Sequence, residues 1–341
     1  MKQTWYCFQR GKNHSQERHP WREGVDGYNL TTVTHFILMG LSDLSEVRYP
    51  LFVVFAAIYK VTLVGNRAIL LAIGMERKLC TPLYYFLANL SLLDIFCPSA
   101  TVPKVLHNLL TGNHSISFLG CALQVYLLVA LVGTEFFLLS VMAYDLYVAI
   151  CFPLLYNLIM TEAHCALLTA GTWEAGFLNS LLHTVSTFCL SFCKSNRINQ
   201  YYCDITPWVA LSCSSKSRID MVVFVGRGIL GIGAFLTTFI SYIYIISAIL
   251  KIQSVEGKPK AFSTCASHLL VVCLFYGTAT FTYMQPSSTG HSPTGHSLIP
   301  MLYGVITPML NSMIYSLRNR EVKGTVSRVF CHGACLQEMQ E

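Results

Sequence analysis

Apolar stretches near the length that spans a lipid bilayer recur along this chain, with short polar segments between them. Seven stretches lie at about residues 50–74, 82–105, 119–147, 164–187, 219–250, 261–284 and 297–316. About 20 apolar residues in an α-helix cross the hydrocarbon core, where backbone groups must form hydrogen bonds within their own segment. The pattern therefore predicts an all-α fold, a seven-transmembrane helix bundle, whose spans are called first to seventh in chain order.

Polar segments before and after these spans divide the chain into three predicted parts. They are an extracellular N-terminal tail at 1–49, a seven-transmembrane receptor domain at 50–316, and a short cytoplasmic amphipathic helix with a tail at 317–341. No apolar run follows the basic residues of positions 1–28, so we expect a soluble tail there and not a cleavable signal peptide.

Basic residues are unevenly shared between the two sides of the predicted bundle. The segments on the side of the C-terminus hold Arg77, Lys78, Lys251, Lys258, Lys260, Arg318, Arg320, Lys323 and Arg328, whereas the opposite loops hold Lys194, Arg197, Lys216 and Arg218. Lys and Arg are enriched in cytoplasmic loops. We therefore predict that the N-terminus is outside and the C-terminus is cytoplasmic.

Candidate glycosylation and disulfide sites fall on the same predicted outer side. Sequons begin at Asn13, Asn29 and Asn113, and four cysteines, namely Cys121, Cys193, Cys203 and Cys213, lie at the start of the third span or in the loop after the fourth. An oxidising compartment allows these cysteines to pair. Spacing alone leaves three connectivities open.

The composition excludes several classes of protein. Hydrophobic residues make up 53% of the chain and charged residues only 12%, about half the charged share of a soluble globular domain. A cytosolic enzyme, a secreted disulfide miniprotein and a disordered scaffold are excluded, because each needs a charged surface or a low apolar content. The net charge of +6 is spread along the chain without a basic stripe, so no nucleic-acid partner is predicted.

Polar residues inside the predicted spans are candidates for function, because an ionisable group there costs about 3 kcal/mol. Asp94 and Glu135 lie midway along the second and third spans, with Asn66 and Asn311 at comparable depth in the first and seventh. This intramembrane polar network could bind a cation or share protons. A water-filled hydrogen-bond network that only holds the helices together is an equal alternative.

Four further charges, Lys60, Arg67, Glu174 and Arg227, are harder to assign. Lys60 is close enough to a helix end to reach the interface, whereas Arg67 is deeper and is expected to destabilise insertion. Arg227 either faces a cavity and attracts an acidic ligand or faces lipid.

Catalytic motifs do not support an enzyme. Neither H-E-x-x-H nor G-x-x-x-x-G-K-[ST] occurs, and the two isolated histidines His291 and His296 are weak evidence for a metal. We therefore predict no enzymatic activity, no cofactor and no metal site. Inverted internal repeats, which would indicate a transporter, are not found either.

A series of strings along the spans carries a specific resemblance. In chain order they are Gly65-Asn66, TPLYYFLANLSLLD at 81–94, MAYDLYVAIC at 142–151, Ser241-Tyr242, KAFSTCASH at 260–268, FYG at 275–277, PMLN at 308–311 and IYSLRN at 314–319. Over about residues 28–325 the chain resembles the olfactory (odorant) receptors, a family of rhodopsin-like G-protein-coupled receptors.

The resemblance implies a plasma-membrane receptor that binds small volatile organic molecules and raises cyclic AMP through a stimulatory olfactory-type heterotrimeric G protein. It implies disulfides Cys121–Cys203 and Cys193–Cys213 and a glycan on Asn29. It also assigns G-protein coupling and activation to Asp145, Leu146, Tyr147, Tyr242, Asn311 and Tyr315.

By the same resemblance, the ligand pocket lies between the third, fifth and sixth spans. Leu128, Val129, Val132 and Gly133 are predicted to share one helix face by their i, i+1, i+4, i+5 spacing, and Tyr276, Thr280 and Tyr283 to supply hydroxyls, with Arg227 as a further candidate. Ordinary helix packing is the alternative at each position.

The chain departs from the family pattern at positions linked to signalling. Leu146 stands where the family has arginine, Ser312 where it has proline, Cys80 where it has histidine, and Phe152 and Leu155 where it has histidine and arginine. From the joint loss of the arginine, the proline and the basic second inner loop we predict weak or absent G-protein coupling. Arg67, Glu174 and Arg227 within the membrane separately predict marginal folding and retention in the endoplasmic reticulum. The alternative function is a non-signalling or decayed receptor that acts at most as a ligand-binding or trafficking partner.

Overall fold

Helices form nearly all of the residues that the computed structural model describes. It describes residues 34–39, 45–76, 79–188, 196–198, 200–205, 230–251, 257–283, 304–315 and 324. The helices are α1 (Ser45–Met75), α2 (Pro82–Thr111), α3 (Phe118–Cys151), α4 (Tyr156–Ile159), α5 (Glu162–Phe188), α6 (Leu230–Lys251), α7 (Gly257–Tyr283) and α8 (304–315). The predicted all-α fold is confirmed, and the seven predicted spans correspond to α1, α2, α3, α5, α6, α7 and α8.

Four of the helices in the described ranges are long and apolar enough to cross a membrane by length and composition alone. They are α1 from Arg48 onward, α2, α3, and α6 from Gly231 onward. The predicted segment 317–341 lies outside the described residues apart from residue 324.

Local sequence signals set the ends of the central helices. Pro82 occupies the first turn of α2, where its missing N–H costs nothing. The helix ends at Gly112, whose φ of 72° is readily adopted by glycine and lets its N–H donate to the Asn108 carbonyl. At the start of α3, the Ser117 side chain accepts a hydrogen bond from the backbone N–H of Gly120 at 3.1 Å.

Helix α3 is the centre of the bundle. It contacts α2, α5, α6 and α7, and its buried residues occur around the whole helix, as expected of a helix enclosed by others. The closest approach is to α5, where a Cβ added at Gly133 would lie 3.6 Å from the Cα of Gly176. Small residues at this crossing allow the two backbones to meet.

Gly176 gives a direct test of this crossing. A Cβ at this position would lie 2.8 Å from the Ala130 carbonyl oxygen and the Thr134 nitrogen, and would overlap the Thr134 hydroxyl. We expect Gly176→Ala to destabilise the bundle by about 1–3 kcal/mol through overpacking, measured as a lower melting temperature of the solubilised protein. Gly171→Ala is the matched control, because no atom lies within 4 Å of its added Cβ; equal losses in both variants would contradict the prediction.

A small sheet joins three distant segments at the end of the bundle that carries Cys121, called here the disulfide end. Strand β1 (His35–Leu38) lies between β2 (Ser115–Ser117), with which it is antiparallel, and β3 (Arg197–Ile198), with which it is parallel. Phe36 and Leu38 of β1 are buried with Cys121 and Cys203. The sequence interpretation missed this sheet and treated residues 35–38 as part of a tail.

Three of the unassigned charges lie on the outer surface of the bundle. Lys60 and Arg67 are exposed on α1 and Glu174 is exposed on α5, so each points away from the helix packing. Arg227 lies outside the described residues. The surface around Arg67 is apolar, with Val64 and Leu71 also exposed, as expected for a face in contact with lipid.

Candidate functional site: a central cavity and a coupling surface

A cavity lies near the middle of the bundle between α2, α3, α7, α8 and the loop at 200–205. Its lining consists of Cys97, Leu128, Val132, Glu135, Tyr202, Phe275, Gly304, Thr307 and Pro308, and its volume is about 20 Å³. A second cavity of about 10 Å³ shares Leu128, Tyr202 and Gly304 with it. These volumes suit single water molecules, so a larger ligand requires the lining side chains to move apart.

The four predicted pocket residues of α3 divide between two environments. Leu128 and Val132 line the cavity. Val129 packs against the buried cluster around the disulfide, and Gly133 faces Gly176 of α5. The predicted common face is therefore wrong, because successive residues of an α-helix turn by about 100°, which moves the second residue of each adjacent pair onto another face.

Tyr276 lies where α3, α6 and α7 meet. Its hydroxyl donates to the Phe136 carbonyl at 3.3 Å, and its ring lies 5.0 Å from that of Phe136 and 5.6 Å from that of Phe235. The hydroxyl thus contacts backbone and does not line the cavity. The side chains of Thr280 and Tyr283, like that of Arg227, lie outside those described.

The predicted disulfide Cys121–Cys203 is confirmed. It ties the loop at 200–205 to the start of α3, next to Tyr202 at the edge of the cavity. Gln124 strengthens the same link, because its side-chain oxygen accepts from the Cys203 N–H and its amide donates to the Ala100 carbonyl of α2, both at 2.9 Å. Cys193, Cys213 and the predicted glycan site Asn29 lie outside the described residues.

Three of the four predicted network residues come together in the core. The Asn311 amide nitrogen lies 3.1 Å from Asp94 Oδ1 and 3.4 Å from Glu135 Oε1, and all three side chains are buried. Two carboxylates that share one amide can share a proton or attract a cation. Among the described residues, no group of three or more His, Cys, Asp or Glu side chains could hold a metal ion.

Asn66, the fourth predicted member, belongs to a neighbouring contact between α1 and α8. Its amide donates to the carbonyls of Thr62 at 3.0 Å and Pro308 at 3.4 Å. Nearby, the Ser312 hydroxyl donates to the Met309 carbonyl at 2.8 Å. A Cβ at Gly65 would lie 2.9 Å from that hydroxyl. The Ser312 side chain therefore packs in space that is free because Gly65 has no side chain.

Asp145 lies at the opposite end of the bundle from the disulfide and has a tyrosine partner. Tyr156 of α4 donates to Asp145 Oδ1 at 2.8 Å, and Asp145 is only 1% exposed. Burial, followed by the Asp145 charge, raises the pKa of Tyr156 above its usual value, so the phenol keeps its proton as the donor. The Tyr156 hydroxyl therefore already forms a hydrogen bond with the carboxylate that an arginine at 146 would otherwise pair with.

Leu146 is buried in an apolar cluster at the same end. The cluster consists of Ala143, Leu146, Tyr242, Ile245, Ile249 and Cys265, from α3, α6 and α7. Leu146 is 4% exposed, and transfer of a leucine side chain from water contributes about 1.5–3 kcal/mol. This packing joins α3, α6 and α7 at the end of the bundle opposite the disulfide.

Of the other predicted coupling residues, Tyr242 belongs to this cluster, Tyr147 packs against it and Tyr315 belongs to the main core cluster. Tyr147 contacts the rings of Phe152 and Tyr244 at 5.6 and 5.7 Å. The Tyr242 hydroxyl shares a 2.6 Å hydrogen bond with His268 Nδ1. Tyr315 of α8 is buried, and its hydroxyl has no hydrogen-bond partner among the described residues.

Sequence reasoning missed three contributors, Tyr156, Gln124 and His268. Tyr156 follows Asp145 by 11 residues across a chain reversal, a spacing that predicts no contact. Gln124 gave a usable signal, because an uncharged polar residue within an apolar span is expected to face protein. His268 lies within the KAFSTCASH string, but only the folded chain shows its bond to Tyr242.

The helices around a central α3, a loop tied to it by a disulfide and a buried carboxylate pair define a membrane receptor of the helix-bundle class. The olfactory receptor family profile matches residues 55–333. The chain belongs to the olfactory receptor family, and a seven-transmembrane, G-protein-coupled bundle follows from that membership. Members of this family are multi-pass plasma-membrane receptors and not enzymes, as the sequence predicted.

Individual relatives support the same assignment. The chain is 47% identical over 301 residues to olfactory receptor 8U9 of Mus musculus, covering 88% of this chain and 96% of the relative. It is 46% identical to olfactory receptor 8U9 of Homo sapiens, covering 88% and 97%, and 46% identical to olfactory receptor 5B21 of Mus musculus, covering 88% and 94%. Family membership supports odorant receptor function and a small odorant as ligand.

Proposed function

We propose that this chain binds a small volatile molecule within its helix bundle and signals to a stimulatory olfactory-type G protein that raises cyclic AMP, with coupling weakened at Leu146. Family membership supports the receptor role. The burial of Leu146 among apolar side chains of three helices carries the proposal of weak coupling. The disulfide end then faces outward, because Cys121 and Cys203 pair in an oxidising compartment.

The ligand site that we propose begins at Leu128 and Val132, below Tyr202. Thr280 and Tyr283 of α7 remain proposed contributors, as does Arg227, which lies outside the described residues. An apolar wall with few hydroxyls suits a small, mostly hydrocarbon ligand that carries one hydrogen-bonding group. Glu135 lines the cavity, and the Asp94–Glu135–Asn311 cluster that it belongs to shares a proton or holds a cation.

A second candidate function is a ligand-binding or trafficking partner that does not signal. The bond from Tyr156 to Asp145 favours it, because that bond satisfies the carboxylate without any cation. In this form the disulfide end and the pocket remain intact, while the opposite end has Leu146 in place of the arginine that would contact a G protein.

A cyclic AMP assay across a panel of odorants, with surface abundance recorded, tests the proposed function. We expect a weak, concentration-dependent response to one chemical class. If the protein is abundant at the surface and binds an odorant but evokes no cyclic AMP response, the non-signalling candidate is favoured.

Two valine substitutions test the proposed pocket. Val132→Leu adds a methylene to the cavity wall, and we expect about a tenfold change in the half-maximal odorant concentration, within the range for one methylene in an apolar pocket. Val129→Leu adds the same group on the face that packs against the disulfide cluster, and its effect on the half-maximal concentration should be smaller. A larger effect at 129 than at 132 would refute this placement of the pocket.

Retention in the endoplasmic reticulum is proposed from Arg67, which is exposed on the lipid-facing side of α1. A basic residue in mid-membrane costs about 3 kcal/mol on insertion. We expect most of the protein to remain sensitive to endoglycosidase H, and Arg67→Leu to raise the resistant fraction severalfold. Native protein that is already mostly resistant would argue against retention.

A further inference from the structure

Two opposite charges on the lipid-facing surface have no partner within the part of the chain that the structure describes. Arg67 of α1 and Glu174 of α5 are both exposed, and neither forms a hydrogen bond or ion pair there. Ionised side chains within the hydrocarbon region are rare and almost always pair or face a cavity. A group outside this single bundle is therefore needed to satisfy them.

Helix α2 allows the depths of these two charges to be compared. The Tyr59 hydroxyl of α1 bonds to Ser99 of α2 at 2.8 Å, so eight residues further along the antiparallel α1, Arg67 lies level with position 91. Trp173 of α5 donates to Asn89 of α2 at 3.3 Å, which places Glu174 level with about position 90. The two charges therefore differ in depth by about one residue, or about 1.5 Å.

The same contacts place the two charges on opposite flanks of α2. Because α2 contacts both α1 and α5, it separates Arg67 from Glu174 within one chain. A second copy can be related to the first by a two-fold axis that runs along the membrane normal beside α2. Across this axis, α5 of the second copy faces α1 of the first, and α1 of the second copy faces α5 of the first. Arg67 of each copy then meets Glu174 of the other, which is the self-complementary arrangement of an isologous dimer.

The surface around Glu174 also permits a close helix approach. Ala166, Ala170 and Gly171 are exposed on the same part of α5, and no atom lies within 4 Å of a Cβ added at Gly171. Small residues at this spacing let transmembrane helices pack at short distance. On α2 between the flanks, the large exposed side chains are Tyr85, Phe96 and, near the end of the helix, Leu110.

We propose that a second copy of this chain docks on the α1–α2–α5 face, and that two reciprocal ion pairs between Arg67 and Glu174 hold the dimer together within the membrane. The charges that oppose insertion of a single copy become a dimer contact once two copies meet. The same face selects against membrane proteins that do not present an acid and a base at this depth.

Energy transfer between donor-tagged and acceptor-tagged full-length copies in cell membranes tests the dimer. We expect Arg67→Leu and Glu174→Leu each to raise the density needed for half-maximal transfer about tenfold, as expected for the loss of polar contacts between membrane helices. Both variants should nevertheless insert better than the native chain, which separates lost association from lost folding. Lys60→Leu is the matched control, because it removes an exposed α1 cation that lies two turns away from Arg67, and it should leave transfer unchanged.

Charge exchange provides the decisive comparison. Arg67→Glu and Glu174→Arg should each abolish transfer, and the double variant should restore it to within about twofold of the native chain. The proposal is overturned if the native copies show no transfer above a monomeric membrane control, if Arg67→Leu behaves like Lys60→Leu, or if the double variant inserts but does not associate.

Discussion

Leu146→Arg is expected to raise odorant-evoked cyclic AMP about tenfold at equal surface abundance. The substitution adds a guanidinium beside Asp145 and removes Leu146 from the cluster that joins α3 to Tyr242 and Cys265. Opening of this end is favoured because a charged group buried among the apolar side chains of the cluster is costly unless it is paired, and Asp145 already accepts from Tyr156. In the open bundle the same guanidinium can donate to the G protein, and hydrogen bonds to a charged group contribute about 1.5–3 kcal/mol.

Leu146→Gln is the control that isolates the positive charge. Glutamine also disrupts the apolar cluster, but it carries no charge for Asp145 or for a G protein. If the glutamine variant signals as strongly as the arginine variant, loosened packing and not the cation explains the gain. A native chain that already matches the arginine variant would show that leucine is compatible with full coupling.

Removal of the Cys121–Cys203 bridge has the second-largest expected effect. The two cysteines are 82 residues apart, and a crosslink closing a loop of this length stabilises a fold by about 4–5 kcal/mol on the chain-entropy account. We expect Cys203→Ser to abolish surface expression and to lower the melting temperature of the solubilised protein sharply. Without the bridge the loop would move, which would displace Tyr202 and break the hydrogen bond between Gln124 and the backbone of residue 203.

Cys273→Ser is the matched control for that experiment, because Cys273 is an exposed free cysteine on α7. It should leave surface expression and melting temperature unchanged. A Cys203→Ser protein that reached the surface in native amounts would show that the Gln124 hydrogen bonds and the sheet at the disulfide end hold the loop without the disulfide.

The seven long helices were predictable because each one contains an apolar stretch long enough to show in the sequence, whereas α4 has only four residues. The sheet at the disulfide end was not predictable, because β3 has only two residues and pairs with a strand far away in the chain. Strands this short show no alternation of apolar and polar residues, and their pairing depends on the tertiary fold.

The site was predictable in residue type more than in arrangement. Asp94, Glu135 and Asn311 were recognisable because polar groups in apolar spans need partners, whereas the position of Asn66 depended on how α1 packs against α8. The error at Val129 and Gly133 came from treating adjacent helix residues as one face. Tyr156 could not be found, because its contact with Asp145 requires the chain reversal that follows α3.

The contact between α1 and α8 bears on the effect of a proline at position 312. In a continuous α-helix the amide of residue 312 donates to the carbonyl of residue 308, and Asn66 already lies 3.4 Å from that same carbonyl. A proline at 312 would remove the first donor and leave the second in place, in a space kept open by Gly65. A single Ser312→Pro substitution would therefore not leave the Pro308 carbonyl without a hydrogen-bond donor, because Asn66 remains within reach of it.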